Sequence, residues 1–87
     1  MIKENVDLQA EILRALGHPV RLAIAKGLLR QECNVNKMVA ALGIAQSSVS
    51  QHLKVLKAAA IIKGTRKGVK VCYRIDNEIA RRILTNL

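Results

Sequence analysis

The sequence predicts a mainly α protein with one small β-hairpin, in the winged helix-turn-helix order of four helices, two strands and a final helix. Three observations carry this. Apolar residues recur at helical spacing from Val6 to Leu56, the period turns from helical to alternating beyond Ala60, and a short Gly-containing link joins a small helix to a longer amphipathic one. The 87 residues suit a single domain, 1–87. A chain of this size buries only about 60% of its unfolded surface, so self-association is the expected support.

The first helix starts after Asn5, a good N-cap, and carries Val6, Ile12, Leu13 and Leu16 on one face until Gly17. Asp7 and Glu11 lie in its early turns, where the helix dipole favours negative charge. His18-Pro19 opens a second helix with Pro at its first position, where a missing N–H costs nothing. Val20, Ile24, Leu28 and Leu29 keep helical spacing to Arg30, and Gly27 among them implies close packing against a neighbour. Glu32 to Val35 reads as a short extended link. Asn36 is the expected cap of a brief third helix with Met38, Val39 and Leu42 inward and Gly43 at its end.

Gln46 to Ala60 form a fourth helix with Val49, Leu53 and Leu56 on one stripe and a polar opposite face. Ile61 to Arg66 and Val69 to Ile75 make two strands around Lys67-Gly68, where Gly supplies the positive φ of a tight turn. Alternation puts Val69, Val71, Tyr73 and Ile75 on one strand face and Lys70, Cys72 and Arg74 on the other. Asp76 or Asn77 caps a last helix with Ile79, Ile83, Leu84 and Leu87 apolar. The terminal helices, residues 5–16 and 76–86, have apolar faces beyond what one small core can cover and are the expected dimer interface.

Charge is distributed unevenly. The chain has 15 Lys plus Arg against 6 Asp plus Glu, a net charge of +9. From Cys33 to Ile75 there are cations at Lys37, Lys54, Lys57, Lys63, Arg66, Lys67, Lys70 and Arg74, and no acid. A one-sign half beside a mixed-sign half is the expected footprint of a polyanion-binding surface. A merely solvated face would leave some acids among its cations.

A helix-turn-helix lays its second helix in the major groove, and the residues so placed are Gln46, Ser47, Ser48, Ser50, Gln51, His52 and Lys54. Gln bonds adenine bidentately, Ser pairs with several base edges, and Lys54 and Lys57 suit phosphates. Three Ser in QSSVSQH are poor filler for an exposed helix interior. The hairpin tip, with Arg66, Lys67 and Lys70, is a cationic wing suited to the backbone or the adjacent minor groove. His52 is assigned to DNA over helix packing. The expected partner is double-stranded DNA.

Two blocks then resemble a known family. Leu16-Gly17-His18-Pro19-Val20-Arg21-Leu22 and Ser47-Ser48-Val49-Ser50-Gln51-His52-Leu53-Lys54 are similar to the Leu-x-x-Pro-x-Arg-Leu and Ser-x-Val-Ser-x-His-Leu patterns of the ArsR/SmtB family of winged-helix bacterial repressors. The resemblance spans roughly Leu8 to Leu84. It implies a homodimer joined through its first and last helices, bound to an inverted-repeat operator and released by an effector. Arg21 is read as closing the second helix against its neighbours, with a phosphate contact as the alternative. The family often has Ser or Thr where this chain has Ala45, which leaves Gln46 or Ser47 to cap the recognition helix.

The effector is less plain. The family's thiolate site resembles Cys-Val-Cys, and the matching residues are Asn34-Val35-Asn36, neither Asn a soft ligand. Asp76 to Leu87 contains no His for a last-helix site. Neither a metal nor a cofactor is expected. Cys33 and Cys72 would be neighbours if the link before the helix-turn-helix lay beside the second strand, which would allow a redox or polysulfide switch. Against this, Cys33 shares the parity of Val35, while Cys72 lies opposite Val71 and Tyr73. Two inert small hydrophobes are the preferred reading.

No apolar run approaches the roughly 20 residues of a membrane span, and MIKENVDLQAE lacks a signal-peptide core, so a cytoplasmic protein is expected. No nucleophile stands at motif spacing from a base, which argues against an enzyme. The competing function is a basic adaptor or antitoxin that binds an acidic protein.

Overall fold

A computed structural model describes residues 5–87 and places five helices and one antiparallel hairpin: α1 (Val6–Leu16), α2 (Pro19–Arg30), α3 (Val35–Leu42), α4 (Gln46–Ala58), β1 (Ile62–Lys67), β2 (Lys70–Ile75) and α5 (Glu78–Thr85). Residues 1–4 of the expected domain lie outside the described residues. The predicted element order holds, with several local corrections.

Ends are where local chemistry decided most. Pro19 is the first residue of α2, and His18 Nδ1 accepts the Val20 N–H at 3.1 Å. Asn77, rather than Asp76, caps α5 through Oδ1, which accepts from the Ala80 N–H at 3.0 Å. Asn5 precedes α1 without a side-chain cap bond. The expected extended link is a turn instead: Cys33 has φ 63, Val35 is already helical, and Asn34 rather than Asn36 stands at the cap of α3. Ala45 caps α4 in extended geometry with no side-chain bond, so neither Gln46 nor Ser47 takes that role. The fourth helix stops at Ala58, two residues early, because Ala60 turns left-handed with φ 60. That turn lets Ile61 donate its N–H to the Leu56 carbonyl and bury its side chain.

The hairpin pairs Ile62 with Ile75, Thr65 with Cys72 and Lys67 with Lys70. Its turn is Gly68-Val69, one residue later than expected, with Gly68 at φ 66. Val69 therefore leaves the strand face it was expected to share and is 95% exposed. Gly64 has a packing reason: a Cβ there would stand 2.8 Å from both Tyr73 Cε1 and Val71 Cγ1, so the two side chains close over bare backbone. Gly27 has one too, since a Cβ would run into Met38 Sδ of α3.

One core joins all helices except α3, and it includes Ile12, Leu16, Ile24, Leu28, Val49 and Leu56. Ile61, Ile62 and Ile75 bring the root of the hairpin into it, and Ala80 and Leu84 bring α5. Helix α3 contributes no fully buried residue and packs through Val35, Met38 and Val39. Two Arg side chains tie turns down. Arg21 Nε donates to the Ala15 carbonyl, which makes the structural reading of Arg21 the observed one, and Arg81 Nη2 donates to the Ile75 carbonyl at 3.1 Å.

Candidate nucleic-acid interface

Helix α4 buries Val49, Leu53 and Leu56 because they recur every three to four residues. The same periodicity sends Ser47, Gln51 and Lys54 outward, with Ser50 and Lys57 on one flank and Ser48 on the other. All six are exposed, as is Gln46 at the first turn. The wing stands on the Lys57 flank, where Lys57 Nζ lies 5.9 Å from the centre of the Tyr73 ring. Arg66, Lys67 and Lys70 are exposed at the hairpin tip, and Arg66 Nη1 reaches the Gly68 carbonyl at 3.4 Å.

Arg74 has a different role from the other wing cations. It donates to Thr65 Oγ1 at 2.8 Å and lies 3.9 Å from Asp76, so it braces the hairpin. The sequence missed this brace because it depends on strand register. Lys63, Lys67 and Lys70 make no ion pair among the described residues. The surface of α4 and the wing thus presents hydroxyls and amides in one row, with unneutralised ammonium groups beside it.

His52 departs from that row. Its ring is half-buried, 4.5 Å from the His18 ring, and its Nδ1 is buried without a hydrogen-bond partner among the described residues. Burial chiefly, then the facing His18 and Arg21, push its pKa below the ordinary 6.5. This geometry favours helix packing, the alternative set aside in assigning His52 to DNA. A His with a lowered folded-state pKa leaves stability level above about pH 6.5 and removes it as pH falls through the depressed value. Urea midpoints should therefore fall more steeply below pH 6.5 in the native chain than in His52→Gln; parallel profiles would show that the ring carries no such load.

The cysteines are also corrected. Cys33 and Cys72 are joined as a disulfide, with Cα atoms 4.4 Å apart, so the inert pair is not what the fold contains. Cys33 donates its N–H to the Tyr73 carbonyl at 3.0 Å, the one backbone bond between this link and the second strand among the described residues. The bond links the turn before α3 to the wing. It closes a loop across a separation of 39 residues, for which chain entropy alone gives about 4 kcal/mol. No group of three or more His, Cys, Asp or Glu side chains clusters among the described residues in a way that could hold a metal ion.

A helix-turn-helix of α3 and α4 followed by a two-stranded wing defines the winged helix-turn-helix class. Residues 18–63 match the family described as "Bacterial regulatory protein, arsR family". The chain belongs to this ArsR family. It is 45% identical over 83 residues to the HTH-type transcriptional repressor SmtB of Mycobacterium tuberculosis, which covers 94% of the chain but 62% of that relative. Among solved structures, the transcriptional repressor BigR from Xylella fastidiosa superposes with a TM-score of 0.85 at 30% identity, covering 97% of this chain and 86% of that one. A homodimeric winged helix-turn-helix DNA-binding domain from Mycobacterium bovis superposes at 0.81 with 26% identity, covering 98% and 82%. No helix among the described residues is long and apolar enough to cross a membrane.

Proposed function

We propose that the chain is a homodimeric, sequence-specific DNA-binding repressor that reads bases with Gln46, Ser47, Ser48, Ser50, Gln51 and Lys54 of α4 and grips the backbone with Arg66, Lys67 and Lys70 of the wing. The observation that carries this is the exposed Ser and Gln row of α4 set beside a wing whose lysines have no acidic partner among the described residues. Short hydroxyl and amide side chains on a helix suit base edges, and mobile ammonium groups suit phosphates. The relatives named repressors support the direction of regulation.

Dimerisation would run through α1 and α5. Leu13 of α1 is 52% exposed, and together with Gln9, Ile79, Arg82 and Ile83 it lines a shallow groove where the two helices meet. Two copies would set two recognition helices against half-sites about one helical turn apart, hence an inverted-repeat operator. The Cys33–Cys72 bond would make the protein thiol-responsive, since opening it frees the turn ahead of α3 from the wing.

A footprint on promoter DNA tests the whole reading: a protected inverted repeat supports it, and an unprotected one leaves an adaptor that binds acidic protein. Roles within the interface separate by salt and sequence. Ser47→Ala and Gln51→Ala should each lose about 1–3 kcal/mol on the operator and little on random DNA. Lys67→Ala should weaken both DNAs alike and lower the salt slope by about one. Equal losses on both DNAs for all three variants would remove the base-reading assignment.

A further inference from the structure

Beside the disulfide lies a cavity of about 390 Å³ lined by Cys33, Val35, Lys67, Lys70, Val71 and Cys72, among others. Its size falls within the range of small-molecule sites. It has a sulfur–sulfur bond at one wall and two ammonium-bearing side chains at another.

The register explains how the charges come together. Alternate residues of paired strands share a face, and the pairs Lys63 with Arg74, Thr65 with Cys72 and Lys67 with Lys70 put Cys72 between two levels of cations. Arg74 is held by Thr65 and Asp76. Lys67 and Lys70 are directly opposite each other with no acid between them among the described residues, an arrangement that like-charge repulsion disfavours. An anion seated between them removes that cost. The two sulfurs are not equivalent either, because Cys33 is exposed and Cys72 half-buried.

We propose that this cavity is a docking site for anionic low-molecular-weight thiols, which open the Cys33–Cys72 bond under guidance from Lys67 and Lys70. The thiolate of the incoming RS⁻ attacks Cys33 Sγ, the more accessible sulfur. A new RS–S bond forms to Cys33, the Cys33–Cys72 bond breaks, and its electron pair leaves on Cys72 as a thiolate. A second RS⁻ then attacks the mixed disulfide, releasing RSSR and a Cys33 thiolate, so two thiolates are oxidised and one disulfide is reduced. The site gives a chemical class to the signal in the thiol-responsive reading above, on which it rests. Because the same lysines serve the wing, a thiol seated here would also occupy charge that the proposed DNA contact uses.

The test uses three two-carbon thiols that differ in charge: 2-mercaptoethanesulfonate, 2-mercaptoethanol and cysteamine. Opening of the bond in the free full chain is followed by mass spectrometry after alkylation. Each rate is corrected for thiolate concentration and for that thiol's rate with a small neutral disulfide. The sulfonate should exceed cysteamine by about tenfold at low salt, and the gap should close at high ionic strength. In Lys67→Glu with Lys70→Glu the order should invert, while Lys26→Glu with Lys54→Glu, which changes net charge equally, should keep it. Early adducts should sit on Cys33, with the alkyl label on Cys72. Equal corrected rates, an equal effect of both double variants, or adducts on Cys72 would overturn the proposal. DNA affinity that ignores the state of the bond would instead sink the thiol-responsive reading, in a separate assay.

Discussion

Leu56→Ala is expected to remove about 3 kcal/mol of stability, read as a lower urea midpoint with an unchanged slope. Leu56 has no exposed surface, and it sits where α4 hands the chain to the hairpin, its carbonyl accepting the Ile61 N–H. Truncation leaves a cavity in the core shared by α2, α4 and the hairpin root. A domain of this size holds about 4–13 kcal/mol in total at 0.05–0.15 kcal/mol per residue, so the loss is a large share. Val55→Ala, one residue earlier on the exposed side, should cost under about 1 kcal/mol. Similar midpoints for the two variants would contradict the placement of the α4 stripe.

Leu13→Glu combined with Ile83→Glu is expected to turn the dimer into a folded monomer and to lower operator affinity by about 100-fold or more. Both side chains line the groove between α1 and α5 and neither is fully buried, Leu13 being exposed and Ile83 half-buried at the edge of the core, so helical circular dichroism should persist while sedimentation mass halves. Affinity falls because the two half-sites then bind independently, and the second recognition helix no longer acts at high effective concentration. Leu42→Glu, at an exposed position at the end of α3, should leave the mass unchanged. A double variant that remains dimeric would move the interface away from these helices.

Much of this architecture was legible in residue order. Pro19, Gly43, Gly68 and Asn77 mark ends through properties each residue carries by itself, and the stripe Val49, Leu53, Leu56 is a matter of spacing. The outward row of α4 follows from the same spacing. The errors fall where the chain takes an unusual turn. Strand parity argued against bringing Cys33 to Cys72, but parity holds only for extended backbone, and Cys33 at φ 63 swings its side chain out of that alternation. A left-handed Ala60 likewise cut α4 short, since nothing in an Ala announces that conformation.

His52 teaches the same lesson at longer range. Its position on the edge of the α4 stripe fits either packing or a DNA contact, and what favours packing is His18, 34 positions earlier, whose place at the start of α2 is set by the α1–α2 turn. By itself, then, the sequence determined the element order, the core stripes, the acid-free basic half and the family. Only the tertiary structure decided that the cysteines are joined, that His52 faces His18, and that Lys67 and Lys70 share a cavity with a disulfide. The first set depends on periodicity and on side-chain preferences that act within a few residues. The second depends on where distant segments meet, which one-residue changes in turns and register reset without leaving any trace in composition.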